Sequence, residues 1–147
     1  MATVNPFQIN VSQSVLDDLS SRIRHTRWPE TGEDAGWAYG TDPRYLKELL
    51  TYWDENYDWR KQEEELNKYP QFTTAIDGIA IHFVQAKGKN KNSRPLLLIH
   101  GWPDSFYRFH KIISMLNEGE HSFDLVIPSI PGFGFSGHRA VNSDVTA

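Results

Sequence analysis

Apolar residues recur every three or four positions through the first half of the chain, which is the spacing of amphipathic helices. One such stripe follows Ser12 and Ser14, either of which can cap a helix. A second helix is predicted to begin at Asp42-Pro43, where a capping residue precedes a proline at the first helical position. The two stripes consist of Val15, Leu16, Leu19 and Ile23, and of Leu46, Leu49, Leu50, Trp53 and Tyr57.

A third, short helix is predicted within residues 58–67. Its run Glu63-Glu64-Glu65 is interpreted as a solvent-exposed face, and we assign it no chemistry. Residues 1–71 are therefore predicted to form a mostly helical domain, with a loop over residues 30–41.

The pattern changes to strand-like alternation after residue 71. Residues 72–76 and 79–85 flank Asp77-Gly78, and this arrangement predicts a β-hairpin. The apolar run 95–99 predicts a buried strand, and residues 125–127 predict the next one. Between them, Asp104 or Ser105 is expected to cap one helix that carries Phe106, Phe109, Ile112, Ile113 and Leu116 on one face.

Strands that alternate with helices indicate an α/β fold with a mostly parallel sheet. We therefore predict three segments: a helical domain over 1–71, the first part of an α/β core over 72–137, and a divergent tail over 138–147.

Composition excludes several classes of function. The net charge of −4 and the lack of a long basic block disfavour a nucleic-acid partner. The chain has no cysteine, and its six histidines lack the spacing of a metal site, so we expect neither a metal nor a cofactor. No apolar run approaches the roughly 18 residues of a membrane span. Without a signal-peptide pattern at the N-terminus, a cytoplasmic location is expected.

The first candidate site is His100-Gly101-Trp102-Pro103, directly after the apolar run 95–99. Gly101 permits a tight turn, and Pro103 can fix a rigid, cis X-Pro bond. Such a turn can aim a backbone N–H, that of Trp102, at a developing oxyanion. His100 is expected to satisfy backbone groups and to shape the loop.

The second candidate site is the glycine-rich stretch after strand 125–127. Residues 132–137 have the G-x-G-x-x-G spacing, but a dinucleotide site also needs a helix that starts at the glycines and an acidic residue about 20 positions later. We interpret Gly132, Gly134 and Ser136 as structural support for the neighbouring site. Ser136 is not a candidate nucleophile, because no Gly-x-Ser-x-Gly elbow surrounds it.

Two segments together carry a family resemblance: LLLIHGWPDSFYRF and FDLVIPSIPGFGFS. With Arg27-Trp28-Pro29 and Asp58-Trp59-Arg60 upstream, they resemble epoxide hydrolases of the α/β-hydrolase fold, of the microsomal and juvenile-hormone type with an N-terminal meander. The resemblance implies that the Trp102 N–H contributes to the oxyanion hole, that its side chain lines the pocket, and that the substrate is a small apolar epoxide.

In that family, an aspartate attacks the epoxide, a histidine with an acidic partner activates water, and two tyrosines of a cap domain donate to the epoxide oxygen. We find no counterpart of these residues in the chain, so whether it is an enzyme by itself is open. We expect a truncated, inactive core whose uncovered sheet favours self-association. The alternatives are a non-catalytic truncated paralogue that binds a partner protein, and a dehalogenase or esterase.

Overall fold

The computed structural model describes residues 3–29 and 36–138. Part of the predicted loop over 30–41 and nearly all of the predicted tail over 138–147 lie outside these residues. Residues 10–63 form one compact unit, and the segment up to Ile9 together with the chain from Glu64 onward forms the other. The helices of the first half are α1 (Gln13–Arg24), α2 (Pro43–Glu55) and α3 (Trp59–Leu66).

The start of α2 confirms the expectation from Asp42-Pro43. The Asp42 carboxylate accepts a hydrogen bond of 2.8 Å from the backbone N–H of Arg44, and Pro43 occupies the first helical position. This bond satisfies one of the N–H groups that a helix leaves without an internal partner at its start. At α1, Ser12 is the capping residue, but its hydroxyl contacts that of Ser14 instead of a helix N–H.

Glu63 corrects the prediction that the three consecutive glutamates of α3 are solvated. Its side chain is buried, and its carboxylate accepts from the Val11 backbone N–H (2.7 Å) and from the Trp59 indole N–H (3.0 Å). Arg60 pairs with the same carboxylate at 2.7 Å. Hydrogen bonds from the Val11 N–H and from the Arg60 guanidinium hold the pKa of Glu63 below its usual value, which favours the ionised form.

The second unit contains a five-stranded sheet, with order β1-β2-β3-β5-β4 within the described residues. Neighbouring strands are antiparallel except for β4 and β5, which are parallel. The sheet is therefore mixed, not mostly parallel as predicted. A hairpin turn joins β2 and β3, whereas the chain between β4 and β5 is long enough to return in parallel. The strands are β1 (Val4–Phe7), β2 (Gln71–Ile76), β3 (Ile79–Ala86), β4 (Arg94–Leu97) and β5 (Phe123–Pro128).

The β2–β3 hairpin confirms the prediction from the Asp-Gly pair. Ile76 lies opposite Ile79, and both turn residues have positive φ, 50° at Asp77 and 78° at Gly78. Positive φ at both central positions is the geometry that a two-residue hairpin of type I′ needs. The turn therefore fixes the register of the whole hairpin.

The apolar run 95–99 is not the buried strand that we predicted. Regular strand pairing ends at Leu97, and Leu97 and Ile99 are 57% and 58% exposed. Within the described residues β4 pairs only with β5, so one of its edges has no neighbouring strand. An apolar run predicts a strand that is suited to burial, but it does not predict how many strands or helices cover that strand.

The single helix predicted after Asp104 is two shorter elements. A 3₁₀ helix spans Phe106–Phe109, and α4 spans Ile113–Asn117. Ser105, one of the two predicted caps, accepts at its hydroxyl from the Tyr107 N–H. None of the helices within the described ranges has the length and apolarity that crossing a bilayer requires.

Candidate functional site

Two loops meet where the parallel strands β4 and β5 end. Leu98 N–H, just past β4, donates to the carbonyl of Val126 in β5 (3.0 Å). Beyond this point the Ile130 N–H donates to His100 Nε2 (3.1 Å), and the rings of His100 and Phe133 pack with centroids 5.4 Å apart. The structure thus brings the two predicted motifs together, as expected for loops that leave the same edge of a sheet.

The turn at residues 100–103 combines a buried end and an exposed end. His100 is buried, whereas Trp102 is 84% exposed, and the Trp102–Pro103 peptide is cis. His100 Nδ1 lies 2.9 Å from the carbonyl of Gly101, which can only accept, so Nδ1 carries the proton and Nε2 is free to accept from Ile130. His100 is therefore fully engaged as a neutral ring. Its site-shaping role, with Gly101 and Pro103, and the oxyanion role of Trp102 stay predictions.

The loop after β5 is a compact turn, not the start of a helix. Gly132 and Gly134 have φ of 85° and 53°, a region that favours glycine. The Ser136 hydroxyl donates to the carbonyl of Ser129 (2.8 Å) and accepts from the backbone N–H of His82 (2.9 Å). These two bonds occupy the Ser136 hydroxyl. The role of Gly132, Gly134 and Ser136 as structural support for the neighbouring site stays a prediction.

His82, in β3, is a residue that sequence reasoning missed. Its ring is fully buried, with Nδ1 2.9 Å from the Ser129 hydroxyl and Nε2 2.8 Å from Gln71 Oε1. Burial lowers the pKa of His82 to about 4 from an ordinary value of 6.5, so the ring is neutral at neutral pH.

The strand pattern contained a signal for this residue. Side chains alternate between the two faces of a strand, and His82 shares a face with Val84 and Ala86. Those two residues are buried. A histidine in phase with buried apolar residues predicts a buried imidazole with polar partners, because an unpaired buried polar group is costly.

The two carboxylates closest in sequence to the candidate motifs have structural contacts. Asp104 accepts from the Ser105 N–H (2.8 Å) and pairs with Arg108. Asp124 accepts from the Gly88 N–H (2.8 Å) and lies 3.6 Å from the Lys87 ammonium. Within residues 3–29 and 36–138, no cluster of three or more histidine, aspartate or glutamate side chains is arranged to hold a metal ion.

A groove of about 880 Å³ lies elsewhere, in the helical unit of residues 10–63. Leu16, Leu19 and Ile23 of α1 line it together with Leu49 and Trp53 of α2. It includes no residue of the two loops. The candidate site is therefore the pair of loops that follow β4 and β5, and not this groove.

The sheet and the paired loops define an α/β-hydrolase core. Residues 94–147 match the family model described as alpha/beta hydrolase fold. Two solved structures share the arrangement at 34% sequence identity. The epoxide hydrolase of Aspergillus niger matches with a TM-score of 0.85, covering 97% of this chain and 39% of that one. The juvenile hormone epoxide hydrolase of Bombyx mori matches with a TM-score of 0.86, covering 95% and 35%.

A narrower match covers most of the chain. Residues 4–109 match the family model described as Epoxide hydrolase N terminus. The chain therefore belongs to the epoxide hydrolase family. It is 43% identical over 145 residues to epoxide hydrolase 1 of Sus scrofa, an alignment that covers 91% of this chain and 32% of that protein. The chain thus spans about a third of the length of the curated relatives that it matches.

Proposed function

We propose that these residues form the N-terminal part of an enzyme that adds water to small apolar epoxides. The observation that carries the proposal is the turn at 100–103, which leaves Trp102 exposed while the loop after β5 anchors His100 at its base. A rigid turn at the carboxyl end of a strand suits a preorganised N–H donor, because such a donor needs no reorganisation when charge develops.

The proposed reaction has two steps, and residues outside this sequence supply the nucleophile and the base. A carboxylate oxygen attacks an epoxide carbon, the C–O bond of the ring breaks, and the alkoxide takes a proton to give a hydroxyalkyl ester. Water, deprotonated by a histidine, then attacks the ester carbonyl. The resulting oxyanion collapses and expels the diol as its alkoxide, which takes the proton from the histidine. The carboxylic acid formed then gives up a proton, which replaces the one consumed in the first step, and the carboxylate is regenerated.

Within this scheme, the residues of this chain stabilise and orient. The backbone N–H of Trp102 donates to the oxyanion of the second step, and the exposed indole forms part of the pocket wall beside the apolar substrate. His100 holds the base of the turn through its bond from Ile130. The oxyanion role predicts an effect on ester hydrolysis and not on ester formation.

The test removes one N–H without changing a side chain. In the protein as cells make it, replacement of the Trp102 residue by its α-hydroxy acid turns the amide into an ester and deletes the donor. We expect kcat for styrene oxide to fall by roughly 10²- to 10³-fold. In a single turnover the covalent ester should accumulate, because its formation does not need this donor.

Trp102→Phe is the matched control, since it changes the indole and keeps the backbone N–H. It should mainly raise KM for styrene oxide. If the backbone ester hydrolyses the covalent intermediate at the unaltered rate, the oxyanion role of Trp102 is wrong. If the unmodified protein forms no diol from any epoxide, the activity itself is wrong. The intact mass of the native protein decides whether further sequence accompanies the 147 residues.

We also propose that a polypeptide of these 147 residues, prepared alone, is inactive and self-associates. Asp104 and Asp124 are committed to structural contacts, so neither supplies a nucleophile. Leu97 and Ile99 expose apolar surface beside the edge of β4 that has no neighbouring strand among the described residues. An edge of this kind can pair with another chain. Light scattering over a range of concentrations should show a mass that rises with concentration, and a constant monomer mass would contradict this.

A further inference from the structure

A continuous series of side-chain hydrogen bonds crosses the sheet unit beneath the candidate site. The Asn67 side chain makes two hydrogen bonds to the backbone of Ile9: it accepts from the N–H (2.9 Å) and donates to the carbonyl (2.8 Å). The Gln71 amide donates to Asn67 Oδ1 (3.2 Å) and presents its oxygen to His82 Nε2 (2.8 Å). The series ends where His82 Nδ1 meets the Ser129 hydroxyl.

The direction of each bond follows from the chemistry of its partners. The Gln71 amide nitrogen also donates to the carbonyl of Leu66 (2.9 Å), so the oxygen of that amide faces His82. A glutamine oxygen can only accept, so His82 carries its proton on Nε2. Nδ1 is then an acceptor, and the Ser129 hydroxyl donates to it. Every polar atom of the ring has one partner.

His82 holds the loop after β5 by three separate bonds. Its ring accepts from the Ser129 hydroxyl, its carbonyl accepts from the Ser129 N–H (2.9 Å), and its N–H donates to the Ser136 hydroxyl. The Ser136 hydroxyl in turn donates to the carbonyl of Ser129, so the two ends of the loop are also bonded to each other. Both ends of the loop are therefore fixed to one residue of β3.

The next residue along the chain links this loop to the turn at 100–103. Ile130, directly after Ser129, donates to His100 Nε2. Ser129 and Ile130 are thus held by two neutral histidines with opposite tautomers, His82 protonated on Nε2 and His100 on Nδ1. Because Ser129 and Ile130 are consecutive residues, we expect a displacement at Ser129 to reach the bond between Ile130 and His100.

The surroundings of His82 are apolar. Phe7, Phe106 and Phe135 contact its ring at centroid distances of 5.0, 5.1 and 5.4 Å. With Gln71 from β2 and Ser129 from the loop, these are the groups that the described residues pack against the ring from each neighbouring element. None of them is charged or titrates near neutral pH. A hydrogen bond in such a site is strong, and a broken one is costly.

We propose that His82 is a positioning residue of the site: acting with Gln71 and Ser129, it sets the loop after β5 and, through Ile130, the turn that carries the Trp102 N–H. This inference rests on the proposed function for its effect on catalysis, but not for the structural coupling. The positioning acts on the reaction only through the orientation of the Trp102 donor.

The first experiment measures the coupling without any substrate. In the ¹⁵N-labelled protein as cells make it, the ring nitrogens of His82 should report the Nε2-protonated tautomer. Ser129→Ala removes the donor and little volume, and we expect it to shift the backbone amide resonances of Ile130 and Trp102. The exposed His121 provides the matched control, His121→Gln, which should shift neither. Lowered stability with both resonances unaltered would mean that His82 is only structural, and the proposal would be overturned.

The second experiment measures the consequence for turnover in the protein as cells make it. His82→Phe keeps a ring but loses both ring bonds, and kcat for styrene oxide should fall by roughly 10- to 100-fold, as small displacements of a catalytic group do. KM should change little, since the pocket wall remains. His82→Asn, whose side-chain oxygen can accept from Ser129, should recover part of kcat. If His82→Phe does not fold, Ser129→Ala is measured in its place.

The outcomes separate the two proposals. Folded variants with the kcat of the unaltered protein would refute the positioning role and leave the proposed activity standing. An unaltered protein that hydrolyses no epoxide would refute the activity, and the resonances of Ile130 and Trp102 would still decide the coupling.

Discussion

The pH dependence of stability tests the environment of the buried His82 ring. The folded protein holds the ring neutral because it is buried, with a pKa of about 4, whereas the unfolded chain takes up a proton below the ordinary value of 6.5. Between these two values the unfolded state binds more protons than the folded state. The contribution of His82 to stability is therefore complete above pH 6.5 and is lost as the pH falls toward 4.

The size of the effect follows from the two pKa values. A fall from 6.5 to about 4 corresponds to about 3 kcal/mol when the change is complete. Most of that loss occurs early: protonation of the unfolded chain alone lowers the free energy of unfolding by about 2 kcal/mol between pH 7 and pH 5. This is a large share of the stability of an ordinary domain, which is about 5–15 kcal/mol.

The assay is urea unfolding at a series of pH values from 7 to 5, followed by tryptophan fluorescence and far-UV circular dichroism. His82→Asn has no titrating ring, so the difference between its unfolding free energy and that of the unaltered chain isolates His82 from the other groups. That difference should shrink by about 2 kcal/mol as the pH falls from 7 to 5. The control His121→Gln should follow the unaltered chain throughout.

Parallel curves for His82→Asn and the unaltered chain would refute the reasoning. They would mean that the ring is solvated and titrates in the folded protein as it does in the unfolded chain. That result would also remove the basis for the fixed tautomer on which the directed bonds from Ser129 and to Gln71 depend.

Three further predictions concern the contacts around this network. Gly134→Ala should destabilise the protein by about 2–4 kcal/mol in thermal or urea unfolding, because a Cβ there would lie 2.6 Å from the Ser129 hydroxyl at a φ of 53°. Gly132→Ala is the control, since Gly132 has a φ of 85° and open space around it, and it should destabilise the protein by only about 1–2 kcal/mol. Equal losses of stability in the two variants would contradict the contact with Ser129. Asn67→Ala should lower the free energy of unfolding by about 1–3 kcal/mol, since it leaves a backbone N–H and carbonyl without partners; amide hydrogen exchange at residue 9 should quicken, and unaltered exchange would count against this bond. Glu63→Gln should make the free energy of unfolding depend less on pH in the acid range. The carboxylate stabilises the fold above its ordinary pKa of 4.5 and loses that effect as the pH falls through its lower folded pKa. Circular dichroism should therefore show a changed midpoint of acid unfolding, and an unaltered midpoint would mean that the group is solvated.

Local rules were sufficient wherever one or two residues determine the geometry. Asp77-Gly78 specifies its turn because both residues tolerate positive φ, and Asp42-Pro43 specifies a helix start because a carboxylate and a proline both suit that position. The meeting of the two candidate loops was equally predictable, since strands with the same direction deliver their loops to the same edge.

Features that depend on distant parts of the chain were not predictable from such rules. Strand β1 has only four residues and contains Pro6, so its sequence carries little strand signal. Its proline is tolerated because β1 lies at an edge of the sheet among the described residues. Glu63 looks like part of a charged surface run, and only its contacts with Val11 and Trp59 reveal that it is buried.

His82 adds a constraint on how the gene can change by insertion or deletion. His82 lies opposite Thr73 and Gln71 lies opposite Val84, so the two interacting side chains are diagonal neighbours on one face of the hairpin. A single residue added or removed between the turn and His82 would send the imidazole to the opposite face of the sheet. Length variation within this short stretch is therefore expected to be selected against.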